Sequence, residues 1–174
     1  METFTAPRAF LDNPGYARQR EAVVASLDLA TIDRPIADIV AAFAGLDCCF
    51  PLQSCCGHFV CGPETDRHTL AAIPEEYGGL VRYRIAYIAV CIENSIDGRT
   101  LRDALAGIAR LEPAYIQFGS ATWFWERHLN SYVLQVEPPD HVARDEALLE
   151  VREARHVQEV RDLFFDALRR LVCD

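Results

Sequence analysis

The segment Val81–Ile92 reads VRYRIAYIAVCI and is almost entirely apolar. Its charged residues, Arg82 and Arg84, lie near its beginning, so residues 85–92 carry no charge. An unbroken run of β-branched and aromatic residues of this length is typical of a strand that is buried on both faces. We therefore predict that Val81–Ile92 is the central strand of a β-sheet.

Helical patterns lie on both sides of this strand. Before it, apolar side chains recur at helical spacing from Ile36 to Phe43, and Asp33 stands where an N-cap is expected. After it, residues 100–111 show the same spacing, with a capping-box-like start at Thr100. The sequence therefore predicts one amphipathic helix before the central strand and one after it.

The remaining segments complete the predicted fold. Residues 1–14 lack an apolar period and are predicted to form a tail or an arm packed on the surface. Helices are predicted at 16–27 and 141–172, the second with a break near Arg155. Short strands are predicted at 49–52, 58–60, 114–118, 122–126 and 132–137.

The order of these elements predicts one α+β domain that spans residues 1–174. Each half has a capped helix followed by a short strand that ends in a serine, Ser54 in the first half and Ser120 in the second. We therefore expect two related halves. We also expect a mixed β-sheet with helices mostly on one face.

The composition limits the classes of function. The chain has 174 residues, of which 51% are hydrophobic, and this fits one globular domain. Its 17 basic residues are all arginine, which excludes a Schiff-base lysine, a P-loop lysine and a lysine general base. The net charge of −9 disfavours binding to phosphate backbones. Motifs G-x-G-x-x-G, Walker A and G-x-S-x-G are absent from the sequence, so ordinary dinucleotide-binding, NTPase and α/β-hydrolase functions have no support.

We expect a cytoplasmic protein with no membrane contact. No run approaches the roughly 20 apolar residues that a membrane helix needs. The first residues lack the basic and apolar segments of a signal peptide. Seven cysteines, an odd number, without a secretion signal indicate reduced thiols.

The cysteines cluster around one segment, Gln53-Ser54-Cys55-Cys56-Gly57-His58. It concentrates a hydroxyl, two thiols and an imidazole at a predicted tight connection between two strands. Glycine there permits close approach of the backbone to a ligand, and short polar side chains can face a cleft. We predict the candidate site at this loop.

Three interpretations of the loop remain open. A zinc or iron site would use the ligands Cys55, Cys56, His58 and Cys61, with Cys48 or Cys49 as a further candidate ligand, although the sequence has no C-x2-C pair. A reactive or redox thiol would use Cys55 or Cys56, with His58 lowering its pKa. The third interpretation is that the thiols are small buried packing residues, which we expect of Cys48, Cys49 and Cys91.

Two motifs resemble a known family. TIDRPI at residues 31–36 is followed by an amphipathic helix, a short strand and QSCCGH at residues 53–58. This order is similar to that of the Tyw3 family, the wybutosine-synthesis methyltransferases that act on tRNA, in which a D-x-P-I-like helix start precedes an S-C-S-G-R loop. Ser54, Cys55 and Gly57 match that loop. The resemblance extends over about residues 26–137, where Phe118-Gly119-Ser120 looks like a strand end of the family.

The resemblance implies an α+β fold of two related halves, S-adenosylmethionine as the methyl donor and a modified guanosine in tRNA as the substrate. The catalytic residues that it implies are Ser54, Cys55 and His58. The residues that it places at the cofactor are Asp33, Gln53, Gly57, Tyr87, Gly119 and Ser120.

The chain departs from the family pattern at the loop. Cys56 stands in place of a serine, His58 in place of an arginine, and Tyr87 in place of a histidine. The missing arginine and the net charge of −9 disfavour tRNA, so we expect a small-molecule or nucleotide-like substrate, with His58 as acid or base. A homo-oligomer is left open.

Two alternatives to a methyltransferase remain. The first is a metal- or thiol-based binding or redox domain that uses Cys55, Cys56, Gly57 and His58. The second is a domain without chemistry whose cleft serves as an interaction surface.

Overall fold

The segment Val81–Ile92, strand β3, is an interior strand of the sheet, as the sequence predicts. The computed structural model describes residues 4–141 and 145–173. Along one edge, β3 is hydrogen-bonded to β2, Cys49–Cys61. Its other edge is shared by β5, Ser131–Val136, and β6, Glu146–Leu149. The backbone of the apolar strand is therefore paired on both sides.

Two further strands complete the sheet. Ile116–Ala121 forms β4 and pairs with β5, and Phe4–Thr5 forms β1 and pairs with β4. The strand order is β1-β4-β5-β3-β2, with β6 also beside β3. Every pairing between described strands is antiparallel, so the prediction of a mixed sheet is wrong in strand direction. The neighbours β2 and β3 are joined by a loop, which reverses the chain direction without a crossover helix.

Helices and the sheet form one α+β domain, which confirms the predicted class. The α-helices of the described residues are α1 Tyr16–Ser26, α2 Ala37–Gly45, α3 Ile96–Ile108, α4 Thr122–Arg127 and α5 Val151–Val172. Short 3-10 helices occur at Leu29–Thr31, Arg34–Ile36 and Pro139–His141. Among the helices in the described part of the chain, none is both long and apolar enough to cross a membrane.

The main core lies between one face of the sheet and helices α2, α3 and α5. Helix α5 contributes side chains that recur at helical spacing and are almost fully buried, namely Ala154, Val157, Val160, Phe164 and Leu168. The sheet contributes residues such as Tyr83, Ile88 and Leu134. These helices leave the opposite face of the sheet available for a site.

Residues 4–14 form the arm that the sequence predicts, and the arm crosses the edge of the sheet. The side chain of Asn130 accepts the N–H of Leu11 at 2.8 Å and donates to its carbonyl oxygen at 2.9 Å. The hydroxyl of Tyr132 donates to the carbonyl oxygen of Arg8 at 3.0 Å. Residues 1–3 of the predicted tail lie outside the described residues.

Residues 49–61 form a single strand, so the prediction of two strands joined by a tight loop is wrong. Pairing with β3 runs from Cys49 opposite Ile92 to Cys61 opposite Val81, with one irregularity between Pro51 and Gln53. Serine and glycine favour turns locally, but here the neighbouring strand satisfies the backbone N–H and carbonyl groups.

One strand prediction and one helix boundary also need correction. Residues 122–126, predicted as a strand, form helix α4, which buries Phe124 and Trp125 and exposes Trp123. Helix α3 begins at Ile96 rather than at Thr100, because the hydroxyl of Ser95 accepts the N–H of Gly98 and caps the helix there.

The C-terminal segment differs from the predicted helix 141–172 in two ways. Residues 146–149 form β6 rather than helix, since they pair with the beginning of β3. Helix α5 then continues without a break at Arg155. Residues 142–144 of the predicted helix lie outside the described residues.

We predict that the core at α5 dominates stability. Phe164 is fully buried, and Phe164→Ala should lower the free energy of unfolding by about 3–5 kcal/mol, because it leaves a cavity under the sheet. Its neighbour Leu163 is 40% exposed, and Leu163→Ala should cost less than about 1 kcal/mol. Urea denaturation measures both, and equal losses in the two variants would contradict this packing.

Candidate functional site

A pocket of about 420 Å³ lies on the face of the sheet opposite the main core. Side chains from β2, β3 and β5 line it, together with Phe4 from the arm and Phe124 from α4. Three of its lining residues, Ala121, Phe124 and Val133, belong to a small apolar cluster that also includes Ala89. Other lining residues are polar or charged, so the pocket can hold a ligand with both ring and charged groups.

Six of the nine predicted site residues line this pocket. They are Asp33, Gln53, Ser54, Cys55, His58 and Tyr87. Strand pairing explains part of this convergence, because Cys55 lies opposite Tyr87, and Tyr87 lies opposite Gln135 of β5. Side chains of one cross-strand row share a face of the sheet, and this row faces the pocket.

A break in the alternation of β2 brings His58 into the same pocket. Cys56 and Phe59 both belong to the main core, whereas His58 between them lines the pocket. Regular alternation would place Cys56 and His58 on one face. Gly57 has a φ of +79°, a left-handed conformation that glycine adopts readily, and it changes the direction of the following side chain.

Strand β3 has a matching irregularity. The hydroxyl of Tyr83 accepts the N–H of Ala86 at 2.9 Å and donates to the carbonyl oxygen of Val136 at 3.0 Å. Tyr83 and Ala86 both face the core, whereas Arg84 between them lines the pocket. Ile85 lines the pocket and also packs against the core. The two irregular segments thus widen the set of side chains that face the pocket.

Asp33 and His58 meet at the wall of the pocket. Oδ2 of Asp33 accepts the backbone N–H of Cys56 at 2.9 Å and lies 3.6 Å from Nε2 of His58. Asp33 was expected to cap the following helix, but its side chain makes no capping hydrogen bond and bonds to β2 instead. The Asp33 carboxylate therefore ties the segment before α2 to the site.

The other ring nitrogen of His58 is held by the main chain. Nδ1 lies 3.0 Å from the carbonyl oxygen of Thr69, and a carbonyl oxygen only accepts, so Nδ1 carries a hydrogen. In the neutral imidazole, Nε2 then carries the lone pair and faces Asp33. The side chain of His58 is almost fully buried, which fixes this orientation.

The thiols of this segment are not activated. Burial raises the pKa of the Cys55 thiol, the N–H of Gly57 offsets part of that rise, and the negative charge of Asp33 adds to it. Burial and the same carboxylate raise the pKa of Cys56 far above its usual range. A reactive cysteine needs a lowered pKa, so the electrostatics disfavour the redox-thiol interpretation.

Three predicted site residues lie outside the lining of the pocket. The carbonyl oxygen of Gly57 accepts from Arg161, on the side of α5. Gly119 lies under the N-terminal arm, where a Cβ atom would overlap the carbonyl oxygen of Thr5. The buried hydroxyl of Ser120 accepts the N–H of Arg8 at 3.1 Å. Gly119 and Ser120 thus hold the arm in place.

Several lining residues were missed by the sequence analysis. Nη1 of Arg84 lies 3.2 Å from Nδ1 of His68, and the His68 ring packs edge-on against His58 with centroids 5.8 Å apart. The amide of Gln135 donates to the fully buried Glu137 carboxylate at 2.8 Å. The run QVE before Pro138-Pro139 does carry a signal, since polar residues in a buried strand are unusual.

Comparison with known proteins finds similarity at the level of the fold. No protein-family model matches the chain, and no curated protein matches it. The chain is similar to the solved structure of the PH1069 protein from Pyrococcus horikoshii, with a TM-score of 0.52 and 13% sequence identity. The match covers 91% of this chain and 95% of that chain. At this identity the likeness supports the α+β fold alone.

We predict that Gly57 is required by the geometry of β2. A Cβ at Gly57 would lie 2.9 Å from the Cβ of Ala86, whereas one at Gly62, where φ is also positive at +91°, would meet no atom within 4 Å. Gly62→Ala should cost about 1 kcal/mol from its backbone conformation alone. Gly57→Ala should cost about 2–4 kcal/mol, because steric overlap adds to the same strain. Similar losses in the two variants, measured by chemical denaturation, would show that the close approach to Ala86 is unimportant.

We also predict the order in which the cysteines react. Cys173 is exposed, whereas burial raises the pKa of Cys91 to about 12 and also raises that of Cys55. Iodoacetamide at neutral pH should therefore label Cys173 at least about tenfold faster than Cys55. Peptide mapping by mass spectrometry gives the rates, and labelling in urea shows that every thiol can react. Labelling of Cys55 as fast as that of Cys173 would restore the reactive-thiol interpretation.

Proposed function

We propose that the chain is a methyltransferase-like enzyme that binds S-adenosylmethionine in this pocket and acts on a small or nucleotide-like substrate. The observation that carries the proposal is the convergence in one pocket of Asp33, the segment around Ser54, and Tyr87. The family resemblance had placed these separate segments at one site. A pocket of about 420 Å³ has the size of a small-molecule site.

The lining of the pocket suits the methyl donor. S-adenosylmethionine has a sulfonium cation, an α-amino acid group and an adenine ring. The carboxylates of Asp33 and Asp145 provide negative charge for its cationic parts, and Arg84 provides a positive charge for its carboxylate. Tyr87 and Phe124 provide aromatic surface for the adenine or the sulfonium.

Bound S-adenosylmethionine would supply an electrophilic methyl group, whose bond to sulfur breaks as its bond to the substrate forms, leaving S-adenosylhomocysteine. The chain's own residues orient the reacting groups. His58 lines the pocket, and the lone pair on Nε2 of its neutral ring can accept the proton that the substrate atom loses. The hydroxyl of Ser54 lines the same pocket and can hold the substrate by a hydrogen bond.

The charge of the molecule supports a small substrate rather than tRNA. The net charge of −9 repels a phosphate backbone on average. Around the pocket, carboxylates of Asp33, Glu137 and Asp145 accompany the single arginine Arg84 among the described lining residues. A nucleoside or another small acceptor with little negative charge fits these surroundings.

We predict saturable binding of S-adenosylmethionine, with one molecule per chain, in isothermal titration calorimetry. Gln53 is exposed at the pocket, and Gln53→Trp should weaken binding by about tenfold or more, because the indole occupies space that the ligand needs. Gln19→Trp, on α1 and outside the pocket lining, is the matched control and should leave binding unchanged. Absence of binding at millimolar ligand would reject the proposed function.

A further inference from the structure

We propose that Asp33, Cys55 and His58 form a binding site for one divalent transition-metal ion of the zinc class, at the wall of the pocket. One carboxylate oxygen, one sulfur and one imidazole nitrogen from these residues all lie within 4.8 Å of one another. All three side chains also line the pocket. The inference stands on this cluster and does not rest on the proposed methyl transfer.

The hydrogen bonding of His58 prepares Nε2 as a metal ligand. Nδ1 donates its hydrogen to the carbonyl oxygen of Thr69, so the free lone pair of the neutral ring lies on Nε2. Histidines that bind metals in proteins usually donate their second ring N–H to a carbonyl or a carboxylate in this way. The carbonyl of Thr69 thus fixes both the tautomer and the direction of the ring.

The arrangement of Asp33 and His58 favours a cation between them. Oδ2 of Asp33 and Nε2 of His58 are separated by 3.6 Å, which is too long for a good hydrogen bond. Both atoms carry lone pairs when the imidazole is neutral, and the backbone N–H of Cys56 holds the carboxylate in place at 2.9 Å. A metal ion that accepts both lone pairs would relieve the repulsion between these two acceptors.

The set of donor atoms selects the kind of metal. Thiolate, imidazole and carboxylate together suit zinc, whereas magnesium and calcium prefer oxygen ligands alone. Three protein ligands leave one tetrahedral position open, and such an open position is characteristic of catalytic rather than structural zinc sites. Because all three ligands line the pocket, an oxygen or nitrogen atom of a bound small molecule can take that position.

This ligand set differs from the one that the cysteine pattern predicts. Sγ of Cys56 belongs to the main core and lies 3.6 Å from the carbonyl oxygen of Gly57. Cys61 packs against the core at the far end of β2. Of the four predicted ligands, Cys55 and His58 remain, and Asp33 joins them from a segment distant in sequence.

Metal binding would change the role of His58. A nitrogen that binds a metal takes no proton, so His58 would act as a ligand rather than as a base in the metal-bound protein. Metal binding and S-adenosylmethionine binding are therefore separate measurements. Failure of either one leaves the result of the other intact.

The test uses the full chain after treatment with a chelator and removal of the chelator. Zn²⁺ is titrated against a chromophoric competitor, and Co²⁺ is titrated while the absorption spectrum is recorded. We expect one equivalent of either metal per chain, with a thiolate-to-cobalt charge-transfer band. Cys55→Ser should remove that band and weaken Zn²⁺ binding by at least about 100-fold. This is more than is typical for loss of a residue that only hydrogen-bonds to a metal ligand.

Matched variants distinguish this cluster from other cysteines and histidines. Cys61→Ser, on the same strand, and His68→Gln, in the same pocket, should change the Zn²⁺ affinity by less than about threefold. Asp33→Asn keeps an oxygen acceptor for the N–H of Cys56. This variant should bind Zn²⁺ more weakly, and its thiolate-to-cobalt band should still form, but at a higher Co²⁺ concentration. Circular dichroism confirms that each variant is folded.

Two results would overturn the proposal. The first is less than about 0.2 equivalents of bound metal with no thiolate band in the unmodified chain, which would leave Asp33 and His58 as a simple acid–base pair. The second is stoichiometric binding that survives Cys55→Ser but is lost in Cys61→Ser, which would place the metal elsewhere. The Co²⁺ spectrum of the unmodified chain shows whether a thiolate binds the metal, even where a variant fails to fold.

Discussion

The need to pair both edges of β3 governs the rest of the structure. Buried N–H and carbonyl groups must be hydrogen-bonded, and β3 is too apolar to lie at an exposed edge. Strand β2 satisfies one edge along its whole length, but the other edge is divided between β5 and β6. The partner of β3 changes from β6 to β5 at Ile85 and Ala86. There the N–H of Ile85 donates to the carbonyl oxygen of Asp145, and the N–H of Ala86 donates to the Tyr83 hydroxyl.

The pocket lies where the neighbour of β3 changes. At this point Arg84 lines the pocket, and Ile85 lines it while also packing against the core. Gly57 of β2 lies opposite Ile85, between the pairs Cys56–Ala86 and His58–Arg84. The same region therefore loses regular alternation in two adjacent strands. A regular sheet would turn His58 toward the core with Cys56, and Asp33 would then have no imidazole beside it. The irregularity at Gly57 brings His58 to the pocket face, where it forms a cluster with Asp33 and Cys55.

Sequence alone predicts the elements whose residues all favour one structure. Val81–Ile92 has the composition of a buried strand, and α5 has an apolar face at helical spacing. The prediction fails where local preference and tertiary pairing disagree. Gly57 looks like a turn residue but lies inside β2, and residues 122–126 look like a strand but bury Phe124 and Trp125 as a helix. The site residues near Ser54 can be predicted because they are neighbours in the sequence. Gln135 cannot be predicted in this way, because it reaches the pocket only through the pairing of β5 with β3.

The cysteines show why a cluster in sequence is not a cluster in space. Cys49, Cys55 and Cys56 lie on one strand, yet they do not share one site. Cys49 and Cys56 are both part of the main core, where Sγ of Cys49 lies 3.3 Å from the carbonyl oxygen of Phe43. Cys55 instead faces the pocket. A strand sends successive side chains to opposite faces, so adjacent cysteines cannot both reach one site on the sheet. The proposed metal-binding set takes Cys55 and His58 from β2 and is completed by Asp33 from another segment, whose carboxylate accepts the N–H of Cys56.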